Sequence, residues 1–293
     1  MEELWEGVVM KGVGGNYEVA CGEERIRCRP AGRLRREEGF LACGDRVAFR
    51  RSAGGGYIVA RKPRKNNLIR PAIANIDQLV ILASEAPPVT DPYLIDKVTV
   101  IALYQGIQPL IVLNKADLTP SLKLMEAYQS AGFPVFRVSA VTGEGLDALK
   151  AALAGKISAF TGNSAIGKSS ILNRLDTRLS LEIGELSEKI GRGRHTTRHV
   201  ELFQLDNGGF AADTPGFSTF DAVRMEKLTR DTLELYFPEI HRHFGSCRFT
   251  DCHHIHEPGC AVREAAENGE IARSRYLSYC TLFEEISRQK LWK

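Results

Sequence analysis

The stretch Gly162-Asn163-Ser164-Ala165-Ile166-Gly167-Lys168-Ser169 matches the pattern GxxxxGK[ST] and constrains the fold more than any other part of the chain. Such a loop works only between a strand that aims it and a helix that opens behind it. Both patterns are present: Lys156–Thr161 is a short apolar run, and Ser170-Ile171-Leu172-Asn173-Arg174-Leu175 reads as helical. The glycines let the backbone wrap closely, so that its N–H groups converge on a β-phosphate at the positive end of the helix. Lys168 is then placed to bridge β- and γ-phosphates as a catalytic group, and the Ser169 hydroxyl to bind Mg²⁺. Gly162 through Ser170 form the expected phosphate site.

Three further motifs sit at strand ends. Asn114-Lys115-Ala116-Asp117 follows the apolar run Leu110–Leu113, Ser139-Ala140 follows Pro134–Val138, and Asp213-Thr214-Pro215-Gly216 follows Gly209–Ala212. Asp117 can accept both hydrogen bonds from the N–H edge of guanine, a two-donor pattern that adenine lacks, so the nucleotide is expected to be GTP rather than ATP. Asp213 can reach Mg²⁺ through water, and the Gly216 N–H can sense the γ-phosphate. Gln78–Ser84, Leu110–Leu113, Pro134–Val138 and Ile157–Thr161 alternate with helical stretches, which predicts a parallel sheet covered on both faces. Val200–Leu205 and Gly209–Ala212 read as a hairpin through Asn207-Gly208. In ordinary small GTPases the phosphate loop comes first and NKxD late; here NKxD and SA precede the phosphate loop, and DTPG comes last. That order is a circular permutation of one sheet, which close-lying termini permit.

Upstream, Trp5–Met10, Tyr17–Cys21, Arg25–Cys28, Arg46–Arg50 and Tyr57–Ala60 read as short strands between glycine turns. Five of them in so few residues predict a small closed barrel; the OB fold is the commonest solution and an SH3-like barrel the alternative. Through Arg64 the chain carries 13 Lys/Arg against 9 Asp/Glu, although its overall net charge is only +3. That excess is either a solvated basic face or a nucleic-acid surface. Arg61-Lys62-Pro63-Arg64-Lys65-Asn66-Asn67 has the composition of a linker. No apolar run approaches the roughly 20 residues of a membrane span. Met1-Glu2-Glu3-Leu4-Trp5 lacks the layout of a secretory signal. A cytoplasmic protein is expected.

The seven cysteines are unevenly placed. Cys21, Cys28, Cys43 and Cys280 stand apart and read as ordinary buried thiols. Cys247, Cys252, His254 and Cys260 share one short loop and make a Cys₃His set, which suits a single structural zinc with no open position for water. Buried thiols are the alternative. His253 and His256 are expected to point elsewhere, and His241 and His243 to lie at the surface or against nucleic acid. Tyr276, Tyr279, Leu282, Phe283 and Ile286 have helical spacing and read as core packing.

Taken with Gly193-Arg194-His195-Thr196-Thr197, Cys247-Arg248-Phe249-Thr250-Asp251-Cys252 and Glu257-Pro258-Gly259-Cys260, these features resemble the ribosome small-subunit-dependent GTPase A family (RsgA, also called YjeQ) over essentially the whole chain. The resemblance implies a multidomain protein with an N-terminal OB-fold β-barrel (1–64), a central α/β circularly permuted P-loop GTPase domain (65–225) and a mainly helical zinc-binding domain (226–293). It implies zinc in the cysteine loop. It also implies a monomeric cytoplasmic GTPase that binds the small ribosomal subunit and acts in its late maturation, with subunit-stimulated hydrolysis coupled to release from rRNA. Arg27, Arg29, Arg35, Arg36 and Lys65 are candidate rRNA contacts. Ala165 stands where that family usually has a third glycine, and Arg198 where a third threonine is common. Phe217 occupies the position from which a glutamine orients water in many GTPases, so slow intrinsic hydrolysis is expected. His195 is the local candidate for that role, and Thr197 (or Thr196) for the threonine that closes on Mg²⁺.

Overall fold

A computed structural model describes residues 3–32, 34, 41–68, 72–179, 201–213 and 228–289. Five strands make the first unit: β1 (Trp5–Val13), β2 (Asn16–Cys21), β3 (Glu24–Pro30), β4 (Arg46–Ser52) and β5 (Gly55–Arg61). Their alternation sorts the side chains. On β4, Val47 and Phe49 are buried while Arg46 and Arg50 are exposed, and Val9, Val19, Val47, Phe49 and Ile58 meet in one small core. The barrel closes in the order β1-β2-β3-β5-β4, with β4 returning to β1 and β3 running parallel to β5. This is the strand order of an OB barrel, which excludes the SH3-like alternative. Closure removes the open sheet edge that a lone meander would expose.

The stretch with linker composition is pinned rather than loose. Arg61 ends β5, and Asn67 begins a short ribbon of β6 (Asn67–Leu68) with β7 (Ile73–Ala74). Between them Arg64 grips the buried Asp45 of the barrel through Nε–Oδ1 at 2.6 Å and Nη2–Oδ2 at 2.8 Å. Asn75 donates to the Gly44 carbonyl at 2.9 Å and accepts from the Lys65 N–H at 3.0 Å. Gly44 (φ +86°) is required here, because a Cβ would fall 2.1 Å from the Ala74 carbonyl oxygen. Prolines and charges mark a linker only until their side chains find buried partners.

The second unit is a six-stranded sheet, β10 (Val135–Arg137), β9 (Gln108–Leu113), β8 (Gln78–Ala83), β11 (Ile157–Gly162), β13 (Phe210–Asp213) and β12 (Leu202–Gln204), in that spatial order. All neighbours are parallel except the edge strand β12, which forms the expected hairpin with β13. Both faces are covered, as the nearly unbroken apolar strands demand. Leu79, Ile81, Ile111 and Ile157 face one core with α1 (Pro92–Tyr104) and α2 (Lys123–Ser130). Val80, Leu82, Leu110 and Phe160 face the other with α3 (Leu146–Leu153) and α4 (Lys168–Leu175).

The C-terminal helices α5 (Ala261–Glu267) and α6 (Arg273–Gln289) extend the first of these cores through Val262, Tyr279, Leu282 and Ile286. Among the described residues no helix is long and apolar enough to cross a membrane. Arg275 of α6 is buried and forms ion pairs with Asp96 of α1 at 2.6 Å and with Glu239 at 2.7 Å. The Tyr128 hydroxyl also donates to Asp96, at 2.6 Å. The rings of Tyr128, Phe133 and Phe237 surround the guanidinium at 5.4, 5.2 and 4.7 Å. Burial pushes the Asp96 carboxyl up, and Arg275 is the main influence opposing that shift. Removing the cation therefore strands two buried carboxylates.

Chemical denaturation of Arg275→Met should show a loss of about 3–5 kcal/mol at neutral pH. With its folded pKa raised, Asp96 binds a proton more readily in the folded chain than in the unfolded one. The variant's deficit relative to the parent should therefore shrink as pH falls toward about 4. A deficit that is independent of pH would contradict the stranded-carboxylate account.

Candidate functional site

Because their strands are parallel, β8, β9, β10, β11 and β13 end at one edge of the sheet, where open α/β folds bind ligands. That edge brings together four of the segments singled out above. The chain leaves β9 into Asn114-Lys115-Ala116-Asp117, β10 into Ser139-Ala140, and β11 into the loop 163–167 that opens α4. Asp213 ends β13, paired with Phe160 of β11. Gly216, Thr214, Phe217, His195, Thr196, Thr197, Arg198, Arg35 and Arg36 lie outside the described residues.

Asn114 is buried and joins three of these segments. Its backbone N–H donates to the Ala83 carbonyl at the end of β8, at 2.9 Å. Its Nδ2 donates to the Ile166 carbonyl of the phosphate loop at 2.8 Å, and its Oδ1 accepts from the Ala140 N–H at 3.1 Å. Gly167, in the left-handed region at φ +93°, gives the amide room, since a Cβ there would lie 2.4 Å from Nδ2. Ile166 is fully buried under the loop and anchors it to the α3–α4 core. The loop is thus anchored from below at Ile166 and Gly167.

The base-side residues are tied in the same way. Asp117 is exposed, and its Oδ1 accepts from the Ser139 hydroxyl at 2.5 Å. Ser139 Oγ accepts in turn from the N–H groups of Val141 and Thr142, at 3.2 and 3.0 Å. Lys115 (φ +67°) donates through Nζ to the Pro87 carbonyl at 2.8 Å. Two arginines not anticipated from sequence complete the scaffold. Arg174 of α4 donates to the carbonyls of Ala140 and Val141 at 2.9 and 2.6 Å. Arg137 donates to those of Ala116 and Thr119 at 2.6 and 2.8 Å. Each binds the backbone of a remote loop, and such contacts leave no spacing pattern in a sequence.

A second site lies in the C-terminal unit. The ligand atoms of Cys247, Cys252, His254 and Cys260 all fall within 4.8 Å of one another. His254 Nδ1 lies 3.5, 3.5 and 3.4 Å from the sulfurs of Cys247, Cys252 and Cys260, and Cys247 and Cys260 Sγ are 3.9 Å apart. A tetrahedral ion bonded to thiolates at about 2.3 Å and to imidazole at about 2.0 Å sets these spacings near 3.5 and 3.8 Å. The donors therefore fit one small, soft divalent ion. His254 Nε2 sits 3.0 Å from Glu234 Oε2; a carboxylate can only accept, so the proton belongs on Nε2 and the Nδ1 lone pair faces the sulfurs. Against its own desolvation, the Glu257 carboxylate is held down to about 2 by backbone N–H groups of His253, His256 and Ile255, which shape the loop. His253 turns away, its ring 5.3 Å from that of Phe283. Glu234, a residue sequence reasoning passed over, supplies the outer support.

A family model described as RsgA GTPase matches residues 61–223, and one described as RsgA N-terminal domain matches residues 6–58. The chain belongs to the RsgA GTPase family. It is 40% identical, over 99% of its length and 98% of the relative's, to a Caldanaerobacter subterraneus subsp. tengcongensis protein named small ribosomal subunit biogenesis GTPase RsgA. A Moorella thermoacetica protein of the same name is 42% identical over 96% of this chain and 97% of its own. The crystal structure of YjeQ from Thermotoga maritima superimposes with a TM-score of 0.79 at 35% identity, covering 97% of this chain and 99% of that one. That of YloQ, described as a circularly permuted GTPase, gives 0.79 at 30% identity, covering 98% and 96%.

Ala165 adopts φ +62° in the phosphate loop, a conformation that a Cβ disfavours. The Ala165→Gly variant should be more stable by roughly 0.5–1 kcal/mol, the strain removed less the extra freedom glycine gives the unfolded chain. Nucleotide affinity should not fall. A lowered thermal midpoint would contradict this reading of the loop.

Proposed function

We propose that this chain hydrolyses GTP on the small ribosomal subunit during its late maturation, in the cytoplasm and as a monomer, and that hydrolysis releases it from rRNA. The observation that carries the reading is the joining of the guanine-reading motif to the phosphate loop through Asn114. One nucleotide can span both halves of such an edge.

In this reading the Asp117 carboxylate accepts the two guanine N–H groups, while Lys115, Ser139 and Ala140 frame the base. The backbone from Gly162 to Ser170 cradles the phosphates, and Lys168 neutralises charge that develops on the β- and γ-phosphate oxygens. Magnesium, when bound, supplies further neutralisation; Ser169 and Thr197 (Thr196 in the alternative) would hold it, with Asp213 acting through water. The Gly216 N–H would sense the γ-phosphate and His195 would orient the attacking water; both lie outside the described residues. The Cys247, Cys252, His254 and Cys260 set holds a structural zinc, a reading supported by its soft donors and four-coordinate spacing. Four protein ligands fill the tetrahedron, so the ion braces the fold and activates no water.

The accessory units hold RNA. Arg27 and Arg29 are exposed on the barrel, whereas Lys65 pairs with Asp77 outside it. With Arg35 and Arg36 they make the proposed rRNA contacts.

Steady-state GTP turnover, measured alone and with purified small or large subunits, tests the proposal. Small subunits alone should stimulate turnover, and Lys168→Ala should lose at least about a hundredfold of the stimulated rate. Equal turnover with and without small subunits would refute it.

A further inference from the structure

The outer face formed by β3, β4 and β5 carries one large apolar side chain that the fold does not bury. Tyr57 of β5 is 54% exposed, although the residues on either side of it, Gly56 and Ile58, are buried. The strand register sets its neighbours. Tyr57 lies opposite Arg29 of the parallel strand β3 and opposite Arg50 of the antiparallel strand β4. Directly opposed residues share a face, and all three are exposed. Cys28 and Phe49, adjacent to those arginines, are buried, which confirms the alternation. With strands about 4.8 Å apart, Tyr57 stands between two arginine positions on a strip of backbone roughly 10 Å across.

The surroundings bear on the partner. Arg27, two residues before Arg29 on the same face, lies opposite Glu18 of β2. Arg29 Nε donates to Asn16 Oδ1 at 3.0 Å, which steadies the guanidinium beside the β1–β2 turn. Glu24 is engaged by Arg51 at 2.7 Å, and Arg51 also lies over Trp5, so neither belongs to the platform. On β3, β4 and β5 Tyr57 is the only exposed large hydrophobic residue. A protein partner needs about 800 Å² of surface from each side, with an apolar centre that a single ring does not provide. An RNA duplex presents phosphates but no free base face. One ring flanked by cations matches an unpaired base between two phosphates.

We infer that Tyr57, Arg29 and Arg50 form a stacking platform for single-stranded RNA, with Tyr57 against one base and the arginines on the flanking phosphates. This rests on the reading that the barrel holds RNA, and it adds that the RNA there is unpaired.

The test is equilibrium binding of the full chain to a labelled single strand of about 12 nucleotides and to a duplex of equal length, within the site size of one such barrel. Tyr57→Ala should weaken single-strand binding by about five- to a hundredfold, while Tyr57→Phe retains it. Arg50→Gln should weaken binding and reduce its salt dependence. Duplex binding, thermal midpoint and basal GTP turnover should not respond to Tyr57→Ala. Parent-like single-strand binding by Tyr57→Ala, or equal losses for strand and duplex, would overturn the proposal. So would a Tyr57→Ala defect confined to intact subunits, which would assign the face to a protein. Stimulation of turnover by subunits is read separately, so a failure of the proposed function and a failure of the platform remain distinguishable.

Discussion

Asn114 stands where three segments distant in sequence must meet, and the nucleotide edge depends on what its side chain does there. One amide group both donates to the phosphate loop and accepts from the Ser139-Ala140 loop, at 2.8 and 3.1 Å, inside a buried site. Buried amides are costly to leave unpaired, so the two loops are held in one relative position. Gly167 belongs to the same constraint, because any side chain there would displace the amide. The second glycine of the GxxxxGK[ST] motif thus makes room for a residue of the NKxD segment.

Circular permutation leaves this arrangement intact while changing what the accessory units attach to. The hairpin strand β12 touches the barrel: Lys11 pairs with Glu201 at 2.5 Å, and Gln204 donates to the Gly22 carbonyl at 3.1 Å. β13 ends at Asp213, beside the strand that feeds the phosphate loop. On the other face, α1 begins just past the end of β8 and carries the Asp96 that receives Arg275 from α6. The barrel is therefore joined to the hairpin beside the phosphate loop, and the metal-binding unit to the helix after β8. Both attachments combine partnered polar groups with apolar residues of one continuous core, which favours a defined placement of the accessory units over loose tethering.

Much of this was legible in the sequence because the relevant chemistry needs contiguous residues. The phosphate loop, the NKxD segment and the cysteine loop are each short, and the strands feeding them are apolar runs bounded by turns. The barrel was legible from glycine-punctuated alternation, although only the parallel β3–β5 pairing decided its topology. What escaped was long-range pairing of polar groups. Arg275 carries no signal of burial in the sequence, yet its partner Asp96 lies 179 residues away and both are buried. Arg64 lies in a stretch of linker composition, yet it pairs with the buried Asp45. Arg137 and Arg174 bind backbone carbonyls, and a carbonyl has no identity that a sequence can display.

The central claim is that the base site and the phosphate loop form one unit through Asn114. Calorimetric binding of GTP and of inorganic tripolyphosphate to the parent chain and to Asn114→Ala tests it most directly, since tripolyphosphate has no base to reach Asp117. If Asn114 shapes the loop, both affinities should fall by a similar factor, about tenfold for the hydrogen bonds lost. A variant that loses GTP affinity while binding tripolyphosphate like the parent would show that the two halves are independent and contradict the account.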